Sequence, residues 1–396
     1  MDVFIFDLLP YSENIERFRV NGEIPRLTRK YFKPEIAVRA YEEHLTAWAE
    51  LEQLGFDGIS VNEHHGTPYG LMNSPNLLVA AIAQRTKKLK LLTYGNLLPI
   101  HEPLRLAEEL AMLDCLSGGR LIAGVARGAP REYRVYNVPP AESRARFEEC
   151  FEIMRRAWTE ESFSYEGKFH SYKDVAIWPR PVQQPHPPVW VPVTGSKETI
   201  EWAAANDIAI TPGVTRLGTA REDIIRHYAK CQAMQGRKVT PAHLNLMIDC
   251  YVADSKAQAI KEYGAYYIYF WNTLIRYDHE AQDSGKGYYS AAALQHLRAG
   301  ATGTLADEKR PLNTGMTLEG LPAQVETAAW GAPDEVAERI IDEADEAGAN
   351  TVLLVCNRGA LPQEMYLNQL RRLGNEVLPR LKKHKVARVR AAENLL

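Results

Sequence analysis

Within one short stretch, Gly55-Phe56-Asp57-Gly58-Ile59-Ser60-Val61-Asn62-Glu63-His64-His65-Gly66, the chain passes from apolar residues to an acid, two imidazoles and a glycine. The apolar part reads as a strand, so the polar groups arrive at its carboxyl end. In barrels and open sheets of parallel strands that end faces the ligand crevice, while the opposite end serves stability. An imidazole titrates near neutral pH and can donate, accept or move a proton, which makes His64 the candidate catalytic residue. Neighbouring strand residues point to opposite faces. Only one of the two histidines is therefore expected to react, and the other has a structural role.

Three further stretches carry candidate binding groups. Gly124-Val125-Ala126-Arg127-Gly128-Ala129-Pro130 follows another apolar run, and its glycines would let backbone amides and the Arg127 guanidinium approach an anion. Alone, that pattern also fits a turn with a solvated arginine. Val193-Thr194-Gly195-Ser196-Lys197-Glu198-Thr199 runs into a helical pattern, which puts Ser196 and Thr199 at a helix N-terminus. Free amides and the macrodipole make such an end an anion site, although Ser and Thr are favoured there as caps anyway. In Thr93-Tyr94-Gly95-Asn96, Gly95 would let a flat ring lie against the backbone and Asn96 could bond its polar edge, or the glycine marks a bulge. No P-loop core is present, and no histidine or acid spacing fits a zinc or calcium site, so no metal is expected.

These ends need strands to carry them. Apolar runs near 2–8, 57–62, 89–96, 120–126, 188–194, 207–211, 244–253 and 350–356 alternate with amphipathic segments, the pattern of βα units around a parallel sheet. Eight such units predict a (β/α)₈ TIM barrel formed by residues 1–396 as a single domain. Helices are clearest over 35–54, closed by Gly55, and over 333–347, closed by Gly348. Two interruptions follow the fourth and seventh strands. Residues 163–187 read as a surface hairpin and a proline-rich connector, and 270–322 as a candidate active-site lid.

The chain has 396 residues, 45% hydrophobic and 24% charged, with a formal net charge of -3, which fits a globular protein and gives no sign of nucleic-acid or membrane binding. Its five cysteines are scattered and include no close pair, which favours a reducing cytoplasm. No basic leader or long apolar run suggests export or anchoring.

Taken together, these motifs resemble the bacterial luciferase family of flavin-dependent monooxygenases. The resemblance rests on Gly55-Phe56-Asp57-Gly58 with Glu63-His64-His65, on Leu98-Pro99-Ile100-His101-Glu102-Pro103-Leu104-Arg105, and on Leu113-Asp114-Cys115-Leu116-Ser117-Gly118-Gly119-Arg120. It continues through Arg127-Gly128, Phe163-Ser164-Tyr165-Glu166-Gly167-Lys168, Pro179-Arg180-Pro181-Val182-Gln183 and Glu201-Trp202-Ala203-Ala204, in the same order over most of the chain. It implies a barrel enzyme that takes reduced FMN from a separate NAD(P)H-dependent flavin reductase, activates O2 as a flavin hydroperoxide and oxygenates a small organic substrate. His64 matches the family's active-site histidine, and Arg127, Ser196 and Thr199 match positions that bind the flavin phosphate. Gly95 and Asn96 fall where the ring is laid, often across a cis peptide, and Ala126, Ala129 and Thr194 complete the implied cofactor-binding set. Glu63 and His65 are expected to organise the strand end. Tyr267, Phe270, Trp271 and Tyr277 are the expected substrate contacts, and a homodimer through helices such as 76–85 is implied. The family's reactive cysteine is Ala126 here and a nearby aromatic is Pro130, so neither light emission nor a long-chain aldehyde substrate is implied. Two other readings stay open: F420-dependent hydride transfer, and a non-catalytic flavin-binding partner subunit.

Overall fold

The computed structural model describes residues 1–11, 32–68, 70–194, 196–213, 220–272 and 317–393. Strands and helices alternate in the order β1 (Asp2–Asp7), α1 (Pro34–Leu54), β2 (Gly58–Val61), α2 (Pro75–Arg85), β3 (Lys90–Leu97), α3 (Pro103–Ser117) and β4 (Leu121–Ala126). After β4 come α4 (Pro130–Val135), α5 (Ser143–Thr159) and an antiparallel hairpin of β5 (Phe163–Glu166) and β6 (Ser171–Val175). The alternation resumes with β7 (Val189–Val193), α6 (Lys197–Ala205), β8 (Ala209–Pro212), α7 (Ala220–Met234), β9 (Asn245–Val252) and α8 (Lys256–Asn272). It ends with β10 (Ala329–Gly331), α9 (Pro333–Ala347), β11 (Thr351–Val355) and α10 (Gln363–Arg372).

All nine strands outside the hairpin form one curled parallel sheet in the order β10-β9-β11-β1-β2-β3-β4-β7-β8. A parallel bridge from Ile210 in β8 to Leu244, just before β9, links the far strand back towards the start. Alternation along the strands makes two apolar layers. Phe4, Phe6, Leu92, Tyr94, Ile122, Met247, Leu353 and Val355 pack together on the concave side. Val3, Ile5, Leu91, Ala123, Val352 and Leu354 face the helices. All eight predicted runs appear as strands; most are buried on both faces and so read as continuous apolar runs, while β7 alternates buried and half-buried residues.

Helix ends follow local chemistry. Pro34 opens α1 at a position where the backbone N–H it lacks has no helical partner to lose, and Gly55 (φ 87°) closes the helix, its N–H donating to the Glu52 carbonyl. Gly348 (φ 73°) closes α9 in the same way. The predicted hairpin is present. Its turn is held by the buried Glu149 of α5, whose carboxylate accepts the Lys168, Phe169 and His170 N–H groups at 2.7–3.2 Å. Most of the second predicted insertion, including Tyr277, lies outside the described residues. The three-residue β10 was not anticipated, being too short to show a periodicity before Gly331 ends it. Among the described residues, no helix is long and apolar enough to cross a membrane.

Candidate functional site

β2 delivers His64 three residues beyond its end, and the backbone there is fixed on both sides. The His64 N–H donates to the Met72 carbonyl at 3.4 Å, and the Asn73 amide donates to the His64 carbonyl at 2.8 Å. The His64 side chain is 25% exposed, and its Nδ1 lies 3.4 Å from Oε1 of Glu132, which is 1% exposed. Glu132 arrives from the βα loop after β4. That loop turns at Gly128 (φ 85°) into α4, and the Ala129 N–H donates to the other Glu132 oxygen at 3.0 Å. Sequence reasoning did not single out Glu132. The available signal was its place at the third helical position behind Pro130, where an acid caps the helix start.

The residue before His64 ties two strands together. Glu63 is buried, and its carboxylate accepts the Leu97 N–H at 2.9 Å, His65 Nε2 at 2.8 Å and His101 Nε2 at 3.0 Å. Burial alone would raise the Glu63 carboxyl, yet the hydrogen bonds from His101, His65 and Leu97 hold it below its usual value. Burial likewise opposes the His101 cation, but the Glu63 carboxylate raises its pKa above the ordinary value. On the far side of His65, Nδ1 lies 3.0 Å from the Tyr136 hydroxyl.

On β3 the Tyr94–Gly95 peptide is cis. A Cβ on Gly95 would lie 2.9 Å from the Val125 carbonyl carbon, so only glycine fits against β4 at this point. Asn96 is fully buried. Its amide nitrogen donates to Thr93 Oγ1 at 3.1 Å, while its Oδ1 has no hydrogen-bond partner. A buried acceptor left unmade costs about 1–3 kcal/mol, so it marks a place for a donor. Behind it, the Tyr94 hydroxyl bonds Thr211 of β8, and Thr211 donates to Asn245 of β9.

A basic pocket forms at the start of α6. Ser196 caps this helix, accepting the Thr199 N–H. Arg144, from α5, donates to Ser196 Oγ at 3.2 Å and to Thr199 Oγ1 at 2.6 Å. Ser196 in turn donates to Glu198 at 2.8 Å. The Glu198 carboxyl is held below its usual value by its own N–H, by Ser196, and by the charges of Arg144 and Arg127. Arg144 is fifty-two residues from Ser196 and gave no local signal. Ala126 ends β4 beside Leu97, and Thr194 is exposed at the end of β7.

Of the expected substrate contacts, Phe270 is buried in the inner apolar layer, and Trp271 packs beside it with ring centroids 5.2 Å apart. Tyr267 packs partly on the outer layer, against Tyr263 and Trp330. The arrangement can therefore hold an anion at a helix N-terminus beside Arg144, offer a ring edge to Asn96, and move a proton at His64.

Comparison with known proteins identifies the family of this fold. A family model for luciferase-like monooxygenases matches residues 28–351. An uncharacterised protein of Sinorhizobium fredii is 39% identical over 169 residues, 42% of this chain and 49% of that one. The oxygenase component of the flavin-dependent trigonelline monooxygenase of Acinetobacter baylyi is 29% identical over 240 residues, 58% of this chain and 65% of that protein. These alignments thus span about half to two thirds of the relatives' own lengths. The monooxygenase RslO1 from Streptomyces bottropensis superposes with a TM-score of 0.70 at 27% identity, covering 96% of this chain and 99% of that one. With a family model matched over most of its length, the chain belongs to the luciferase-like monooxygenases.

Proposed function

We propose that the protein is the oxygenase of a two-component flavin system, taking reduced FMN from a separate NAD(P)H-dependent flavin reductase and using O2 to oxygenate a small organic substrate. The observation that carries this reading is the convergence of Arg144, Ser196 and Thr199 on one helix N-terminus, where the Arg127 charge is also felt, a donor set that suits a phosphate monoester. The unpartnered Asn96 Oδ1 suits an N–H on the edge of a flat ring. Bound there, the reduced flavin would supply the electrons and the oxygen activation. Ala126, Ala129, Gly95 and Thr194 are read as backbone neighbours of the same ligand.

The chain's own residues then have defined tasks. With Nδ1 donating to Glu132, a neutral His64 carries its lone pair on Nε2, where it can accept a proton from, or after protonation return one to, a reacting group. Glu63 holds the strand end that carries His64. The sheet is read as a (β/α)₈ barrel in a single domain, supported by the Ile210–Leu244 bridge. A homodimer through α2 and α3 is supported by Leu77, Met112 and Leu116, 73%, 49% and 50% exposed on those helices. The reading places the protein in the cytoplasm.

The test is anaerobic titration with reduced FMN, followed by rapid mixing with oxygenated buffer. A lag between mixing and the appearance of oxidised flavin is the expected result. Failure to bind reduced FMN, with binding and reduction of F420 in the presence of an alcohol, would replace this reading by hydride transfer.

A further inference from the structure

The helix that brings Glu132 to His64 is too short to hold its own place. α4 has six residues, and helices of fewer than about twelve are marginal in water without tertiary contacts. Its position therefore depends on what its side chains grip. At its start the Ala129 N–H donates to Glu132 at 3.0 Å, and the Tyr133 hydroxyl donates to the Arg127 carbonyl. Tyr136 caps the other end, its N–H donating to the Glu132 carbonyl at 3.0 Å. The Tyr136 hydroxyl lies 3.0 Å from His65 Nδ1, and its ring meets the His65 ring edge-on with centroids 4.7 Å apart. Glu132 and Tyr136 stand one helical turn apart and so share a face. One grips His64 and the other grips His65.

His65 is itself fixed from behind. Its Nε2 lies 2.8 Å from the buried Glu63 carboxylate, a group that accepts there, so neutral His65 carries its proton on Nε2 and offers the Nδ1 lone pair to the Tyr136 hydroxyl. Glu63 also accepts the Leu97 N–H at 2.9 Å, which ties Tyr136 through His65 to β3. We propose that Tyr136 is a positioning residue for the reaction at His64: its bond to His65 anchors the C-terminal end of α4 and keeps Glu132 on His64 Nδ1. A carboxylate at Nδ1 selects the tautomer protonated there, because the other tautomer sets a lone pair against the negative charge. Removing the Tyr136 hydroxyl frees the last turn of α4 to shift, and lengthens a Glu132–His64 contact that already stands at 3.4 Å. One neutral hydrogen bond of this kind is worth about threefold to tenfold in an equilibrium. The proposal deepens the monooxygenase reading and rests on it for the reaction, though not for the state of His64.

The test is Tyr136→Phe, which keeps the ring on His65 and removes the hydroxyl. Tyr136 is 46% exposed, so the change leaves the core untouched. Nitrogen NMR of the histidine side chains in the flavin-free full chain, at a pH where His64 is neutral, reads the tautomer. Wild type should show His64 protonated on Nδ1, and Y136F should raise the share of the Nε2-protonated form by about threefold to tenfold. His65→Gln keeps a donor for Glu63, removes the Nδ1 acceptor, and should act on His64 as Y136F does. With flavin and substrate, Y136F should lower kcat by about threefold or more while KM and FMN affinity hold. Because Tyr136 acts through Glu132, adding Y136F to E132Q should lower kcat no further. His64 protonated on Nε2 in wild type, or a tautomer balance that neither variant moves, would overturn the proposal. Losses in kcat that multiply in the double variant would overturn it as well. A wild-type chain that binds no reduced FMN would instead sink the monooxygenase reading, and the His64 tautomer would still decide this one.

Discussion

Replacing Glu63 by Gln tests whether one buried carboxylate holds the end of β2 that presents His64. The native carboxylate accepts from Leu97 N, His65 and His101, and is almost wholly enclosed. A Gln amide keeps one acceptor oxygen, turns an NH2 group towards one imidazole, and removes the charge that stabilises the His101 cation. Breaking one partner out of a buried pair costs about 3–5 kcal/mol, and the isosteric amide should recover part, leaving a loss of roughly 2–4 kcal/mol. A chain of this length unfolds with an entropy of about 0.8 kcal/mol/K, so the melting temperature should fall by roughly 2–5 °C. The loss should depend on pH in a defined way. Glu63 has a depressed pKa when folded, so its contribution is present above the ordinary value of 4.5 and fades as pH falls through the folded value. His101 has a raised pKa when folded, so its contribution is present below 6.5 and fades as pH rises through the folded value. The gap between wild type and E63Q should therefore be widest between about pH 4.5 and 6.5 and should narrow on either side. Differential scanning calorimetry over pH 4 to 9 reads this directly. A gap of constant size across that range would refute the claim that the Glu63–His101 charge pair is what the substitution removes.

Five other substitutions have outcomes set by the same geometry. His64→Ala should abolish product formation while leaving FMN affinity nearly intact, and Glu132→Gln should lower kcat by about tenfold to a hundredfold with little change in KM, both read by product assay beside a flavin titration. An E132Q variant with unchanged kcat would remove Glu132 from any role in positioning His64. Arg144→Met should weaken FMN binding by about tenfold or more, the value of one or two charge-assisted hydrogen bonds, and Arg127→Ala should act in the same direction. Riboflavin, which lacks the phosphate, should bind these variants as it binds wild type, and equal losses for both flavins would mean the pocket is not a phosphate site. Glu149→Gln should speed hydrogen exchange at the Lys168, Phe169 and His170 amides by at least about tenfold, since each donates to that carboxylate, while the sheet amides stay protected.

Much of the architecture was legible because it is written in local patterns. The eight apolar runs become strands since most are buried on both faces, with β7 alternating buried and half-buried residues, and burial of that kind leaves a near-continuous signal with little dependence on distant residues. The starts and stops of α1 and α9 were equally local, because Pro at a helix start and Gly at φ above zero act through their own backbones. His64 and Arg127 could be singled out for the same reason: a parallel sheet sends the residues after each strand to one end, whatever the strands' order.

The partners of these residues were not legible. Glu132 meets His64, Arg144 meets Ser196 and Thr199, and Arg358 meets Asp249 across separations of 68, 52 and 55, and 109 residues. No period or cap encodes such pairings, because they depend on how far each helix tilts and where each loop turns once the sheet has curled. Local patterns alone were enough to give eight of the nine sheet strands and to put His64, Arg127 and the Ser196 cap just beyond strand ends. Packing set which charges face one another and which buried acceptors and donors, such as Asn96 Oδ1 and the Trp271 indole N–H, have no hydrogen-bond partner. The physical reason is that strand and cap preferences are set within a few residues, whereas electrostatic pairing in a buried site is set by distances that only packing fixes.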